Sequence, residues 1–180
     1  MIQYKKTRRE LLELLPKNSI GVEVGVFKGA FAKEILEVVS PSMLYLIDPW
    51  KGVIESGDMN GQNIEYINGN DYYSKVILPN FGLRGDVKVL REPSDILNSF
   101  EDNSVDWIYI DADHQYPSVK YDLEVSYRKV KNGGYILGHD YNNIICPGVV
   151  KAVDEFCRQT KLSISYLTED GCPSYFIKKV

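Results

Sequence analysis

Apolar residues recur along this chain in two alternating rhythms, and the alternation sets the fold class. Short, mainly apolar runs, Ile20 to Val24, Met43 to Ile47, Val87 to Leu90, Val105 to Ile110 (apolar apart from Asp106) and Tyr135 to Leu137, have the length of buried strands. Between them lie stretches with apolar groups at helical spacing. Thr7 to Leu15 carries Leu11, Leu12, Leu14 and Leu15 and is closed by Pro16. A second helix runs from Ala30 to about Val39. A third, Val119 to Val130, is stopped by Gly133-Gly134, and a fourth follows Pro147-Gly148 with Val149, Val150, Val153 and Phe156. Pro93-Ser94-Asp95 opens a shorter one. Two last strands, Ser163 to Leu167 and Tyr175 to Ile177, flank Glu169-Asp170-Gly171, which predicts a tight hairpin. The segment Lys51 to Gly61 is polar, Gly-rich and aperiodic and predicts a loop. Gln62 to Leu78 predicts a helix that Asn68-Gly69-Asn70 weakens. The whole predicts an α/β fold: a doubly wound, mostly parallel, seven-stranded sheet with an antiparallel C-terminal hairpin, in one domain over residues 1–180.

Composition narrows the class of partner. The formal net charge is −4, and the basic run Lys5-Lys6-Thr7-Arg8-Arg9 is short and falls on an expected surface helix, so nucleic acid is not the expected partner. No apolar run approaches a membrane span of roughly 18 residues, and the polar N-terminus is no secretion signal. Cys146, Cys157 and Cys172 are odd in number and lack metal-type spacing; they fit buried or free thiols in a reducing cytoplasm.

The chemistry concentrates at the ends of the strands, where ligands bind in such sheets. The first strand runs into Glu23-Val24-Gly25-Val26-Phe27-Lys28-Gly29. Gly25 permits a sharp turn, and Gly29 permits close approach to the next helix. A dinucleotide fingerprint would have glycine where Glu23 stands. An acid there suits a cationic ligand better than a pyrophosphate, which argues against a nicotinamide oxidoreductase. Asp48, Glu92, Asp111 and Asp140 likewise fall at or just past strand ends. Both histidines of the chain, His114 and His139, join them. An imidazole with an ordinary pKa near 6.5 can accept a proton at neutral pH.

Glu23-x-Gly25-x-x-x-Gly29, followed by an acid ending the next strand, resembles the first motifs of the class I S-adenosylmethionine-dependent methyltransferases. The second half is sharper: Asp111-Ala112-Asp113-His114, then Gly133-Gly134 and Gly138-His139-Asp140-Tyr141, resembles the macrocin and aminocoumarin sugar O-methyltransferase branch. The resemblance implies a Rossmann-like methyltransferase fold and methyl transfer from S-adenosylmethionine to a small-molecule acceptor, expected to be a hydroxyl. It implies cofactor contacts from Glu23, Gly25, Gly29, Asp48, Trp50, Glu92, Ser94 and Asp111. Asp48 would take the ribose hydroxyls, Trp50 would cover the adenine, and Glu92 and Ser94 would meet the adenine ring. It implies a divalent metal, magnesium or manganese, on Asp111, His139 and Asp140. His139 stands where metal-dependent relatives carry an acid, which shifts preference toward a transition metal or weakens a magnesium site. Catalysis would fall to Asp111, His114 and His139, with His114 as base, and the loop Lys51 to Gly61 and the stretch Tyr66 to Tyr73 would line or cover the acceptor site. A non-catalytic cofactor-binding protein and another metal-dependent enzyme on the same core are the competing readings. A cytoplasmic enzyme, free to form a homo-oligomer, is the expectation.

Overall fold

The computed structural model describes residues 1–56 and 65–180, with side chains from 53 to 67 left aside. Its main sheet has eight strands in the order β1-β9-β10-β8-β7-β2-β3-β6. The strands are β1 (Gln3–Lys5), β2 (Ile20–Val24), β3 (Met43–Ile47), β6 (Val87–Leu90), β7 (Val105–Ile110), β8 (Val130–Gly138), β9 (Ile164–Thr168) and β10 (Tyr175–Lys178). β6, β3, β2, β7 and β8 run parallel, and β10 lies antiparallel between β8 and β9. The expected sheet is thus present with one strand more. Gln3–Lys5 pairs in parallel with β9, and three half-polar residues carry no periodicity from which to read an edge strand.

Alternation along the strands sorts the core into two layers. Val22, Val24, Ile108 and Ile110 face α5 (Tyr116–Lys129) and α6 (Pro147–Thr160), packing with Val119, Leu123, Val149 and Val153. Leu44, Leu46, Trp107 and Tyr109 face α1 (Arg8–Leu12) and α2 (Ala30–Val38), packing with Leu11, Leu12, Phe31 and Ile35. Close approach in the centre needs Gly21, since a Cβ there would meet the Trp107 ring at 1.9 Å. Glu23 belongs to this second layer, a carboxyl placed by strand alternation on an apolar face.

Five expectations are corrected. Val53–Ser56 is a strand, β4, pairing antiparallel with β5 (Glu65–Asn68) in a separate two-stranded sheet. The remainder of the expected loop, 57–61, and the start of the expected helix, 62–64, lie outside the described residues. The helix itself begins only at Gly69. It passes through α3 (Gly69–Tyr72), a π-helical turn Tyr73–Ile77 and α4 (Leu78–Phe81), and Asn68 caps it by accepting from the N–H groups of Asn70 and Asp71. The polar run that weakened the helix in the sequence is its N-cap. The last hairpin is not tight: Tyr175 pairs with Leu167, and the connection is closed by the Thr168 N–H donating to the Ser174 carbonyl at 3.0 Å. Finally, α1 stops at Leu12, and β8 starts at Val130, directly after α5. Among the described residues no helix is long and apolar enough to cross a membrane.

Candidate active site

A cavity of about 640 Å³ opens at the carboxyl ends of β2, β3, β6, β7 and β8, within the usual range for small-molecule sites. Glu23, Asp48, Glu92, Asp111 and Asp140 all line it, together with Gly25, Ser94, His114 and His139. The strand-end residues named from the sequence therefore meet in one place. Two cofactor assignments do not. Trp50 is 1% exposed and packs against Tyr73, its indole N–H donating to the Phe27 carbonyl, so it supports the loop from behind and does not cover a ligand. Gly29 does not line the cavity either; a Cβ there would meet Phe81 at 2.6 Å, so what approaches is a side chain of α4. Tyr72 and Tyr73 likewise serve the loop and Trp50, Tyr72 donating its hydroxyl to the Lys28 carbonyl; the side chain of Tyr66 lies outside those described.

The glycine loop is held by its neighbours. Gly25 has φ 87° and presses against β7, where a Cβ would fall 2.0 Å from the Asp111 carbonyl oxygen. Asp48 Oδ2 accepts from the N–H groups of Val26 and Phe27 at 3.1 and 2.9 Å, and its Oδ1 accepts from the Trp50 N–H at 2.8 Å. The acid expected to take ribose hydroxyls thus also shapes the loop. A carboxylate has about four acceptor positions, so the two roles are compatible. Ser94 starts a 3-10 helix (Ser94–Ser99) and meets the buried carboxyl of Asp122, which burial raises to about 6.

Glu23 is the electrostatic anomaly. It is 1% exposed, Oε2 has no hydrogen-bond partner, and burial followed by the charge of Asp111 holds its carboxyl well above the usual range. A buried, incompletely bonded carboxyl in the lining of a cavity fits a cationic donor group such as an ammonium. Arg8 lies beside it, the one lining residue from α1: its guanidinium is stacked 4.2 Å from the Phe31 ring and Nη1 is 3.4 Å from Asp111 Oδ2. Sequence gave no sign of this, since Arg8 reads as one charge in a surface run and only tertiary packing turns it inward. A buried acid with a raised pKa costs stability as it ionises. Glu23→Gln is therefore expected to raise the melting temperature of the ligand-free protein. The gain should be absent near the ordinary glutamate value of 4.5 and grow as pH rises above it. Calorimetric melting of both proteins across pH checks it. A variant less stable at every pH would contradict the assignment.

At the other side of the cavity, His114 Nε2 donates to Asp140 Oδ2 at 2.9 Å, and His139 Nδ1 lies 3.2 Å from the same oxygen and 3.7 Å from Asp111 Oδ1. Burial opposes charge on Asp140, yet the two imidazoles hold it well below the usual range; burial raises Asp111. Hydrogen bonding to Asp140 raises His114, and for His139 that bond and the charge of Asp111 outweigh burial, so both imidazoles become more basic. Asp113 also lines the cavity, though its carboxylate is engaged by the Ser118 hydroxyl at 2.6 Å and the Gln115 N–H at 3.2 Å. Asp111, His139 and Asp140 each offer a donor atom within 4.8 Å of the others. Two carboxylates and an imidazole suit a divalent ion, which would lower the proton affinity of a bound hydroxyl.

The fold and an acid-lined cradle at its switch point define a methyltransferase-type α/β domain. A family of that description, the methyltransferase domain, matches residues 22–141, and the chain belongs to it. An uncharacterized protein of Acanthamoeba polyphaga mimivirus is 28% identical over 145 residues, 74% of this chain; the chain spans 57% of that relative's length. A Streptococcus mutans chain solved in complex with SAH superposes with TM-score 0.65 at 12% identity, covering 96% of this chain and 95% of that one. The O-methyltransferase NovP superposes with TM-score 0.63 at 18% identity, covering 96% and 79%. At these identities the likeness is one of fold.

Proposed function

We propose that the protein transfers a methyl group from S-adenosylmethionine to a hydroxyl of a small molecule. The observation that carries this reading is the buried carboxyl of Glu23, one oxygen unpartnered, lining the same cavity as Asp48 and the Gly25 turn in a chain of the methyltransferase family. The amino group of the methionine part would meet Glu23 and its carboxylate would meet Arg8; the ribose would meet Asp48, and the adenine would lie toward Glu92 and Ser94. Methyl transfer from a sulfonium is an in-line displacement. The carbon–sulfur bond breaks as the carbon–oxygen bond forms, and alignment alone can supply roughly 7–11 kcal/mol. The acceptor hydroxyl must also lose its proton. His139, in place of the His114 expected from the sequence, would take it: Nδ1 faces Asp140 and Asp111, which orient the ring, and it is the less exposed of the two histidines, 19% against 47% for His114.

The test is transfer of a labelled methyl group to a panel of hydroxylated small molecules, including sugars, with and without a chelator. Turnover that survives chelation keeps proton removal on His139. Turnover that is lost and then restored by magnesium or manganese moves that task to an ion on Asp111, His139 and Asp140. Label reaching only nitrogen acceptors would overturn the hydroxyl assignment.

A further inference from the structure

His114, Asp140 and Cys146 bring an imidazole, a carboxylate and a thiol together, one donor atom of each lying within 4.8 Å of the others. Three pieces of chain supply them: His114 follows β7, Asp140 follows β8, and Cys146 is the N-cap of α6. Their meeting is built into the backbone. Gly148, in the first turn of α6, lies so close to the loop after β7 that a Cβ there would sit 2.5 Å from the His114 carbonyl oxygen. The segment between Asp140 and Cys146 is fixed by the Cys146 N–H donating to the Asn142 carbonyl at 2.8 Å. Asn142 Oδ1 in turn accepts from the N–H groups of Ile144 and Ile145 at 2.9 and 3.1 Å. Asp140 itself is held at φ 60°, a left-handed conformation that non-glycine residues seldom keep without a reason. Asp140 and Cys146 are 8% and 6% exposed, and His114 closes the group from the solvent side.

We propose that His114, Asp140 and Cys146 bind a thiophilic divalent cation of the zinc class, with a further coordination position open toward the cavity. Zinc bonds run from about 2.0 Å to nitrogen to 2.3 Å to sulfur, so donors around a tetrahedral ion lie roughly 3.3–3.7 Å apart. From separations within 4.8 Å, the three side chains need to draw together by at most about 1.5 Å. A thiolate and an imidazole favour zinc, cobalt or ferrous iron over magnesium, which demands oxygen ligands. Binding exchanges the hydrogen bond between His114 and Asp140 for bonds to the ion, and the thiol proton is released. Three protein ligands and an open position are the arrangement of catalytic rather than structural zinc. The role of the ion, polarising the acceptor hydroxyl, rests on the methyltransferase reading; its binding does not.

Cobalt(II) is the probe. Titrated into the reduced protein, it is expected to give a near-ultraviolet thiolate-to-cobalt absorption that zinc abolishes at one equivalent and magnesium leaves unchanged. Cys146→Ala should lose the band, and His114→Ala should weaken zinc binding by about 100-fold or more, beyond the 10–100-fold typical of an outer-shell partner. Because Cys146 is buried, S-adenosylhomocysteine titration and melting confirm that each variant is folded; His114 is half-exposed and keeps the test open if Cys146→Ala unfolds. No band in the parent protein, a band that persists in Cys146→Ala, or one lost instead in Cys172→Ala would overturn the site. A cobalt band in a protein that takes no S-adenosylhomocysteine would leave the metal site standing and remove the methyltransferase reading.

Discussion

His139→Ala is expected to lower the rate of methyl transfer by roughly 10²–10⁴ while leaving affinity for S-adenosylhomocysteine within a few-fold of the parent. The asymmetry follows from position. Glu23 and Asp48 sit at the ends of β2 and β3, whereas His139 lies past the end of β8 and is held from its Nδ1 side by two carboxylates. Removing the ring leaves the donor's expected contacts intact and takes away the proton acceptor. Asp111→Asn should reproduce part of the loss by letting the ring turn, although Arg8 then also loses its partner at 3.4 Å. Steady-state rates with a fixed acceptor, alongside titration of each variant, separate the two effects. Equal loss of turnover and of cofactor affinity in His139→Ala would place the ring in cofactor binding instead.

Gly25→Ala should all but abolish cofactor binding while leaving a folded protein of lower stability. At φ 87° an alanine costs about 1–2 kcal/mol in backbone strain alone. The added Cβ would in addition fall 2.0 Å from the Asp111 carbonyl oxygen and 2.7 Å from the Ala112 Cα, both backbone atoms that cannot swing aside. The loop must therefore lift off β7. In doing so it breaks the register that lets the Asp48 carboxylate hold the Val26 and Phe27 N–H groups. A melting curve shifted down by several degrees with undetectable S-adenosylhomocysteine binding is the expected pair of results. Unchanged affinity would mean that the ligand sits elsewhere.

What the sequence shows and what it hides divide along physical lines. β3 and β7 are legible because a strand buried on both faces is almost wholly apolar and has few polar positions to blur its limits. The five strand-end acids are legible for the complementary reason, being polar groups that break such runs at the sheet's ligand edge. Short polar elements are not legible: Gln3–Lys5 and Val53–Ser56 are strands only because a partner strand lies beside them. Arg8, Cys146 and the inward face of Trp50 are set by packing between segments far apart in the chain, for which no local spacing exists. Trp50 shows how this misleads, since an aromatic just past a strand end reads as a ligand platform, whereas here it is buried in the second core layer against Tyr73.

The most direct test of the central claim is isothermal titration of the purified protein with S-adenosylhomocysteine, run beside a titration with NAD. Saturable binding of one S-adenosylhomocysteine per chain, weakened in Glu23→Gln, with no heat from NAD, is the expected result. A folded protein that takes NAD and ignores S-adenosylhomocysteine would contradict the account.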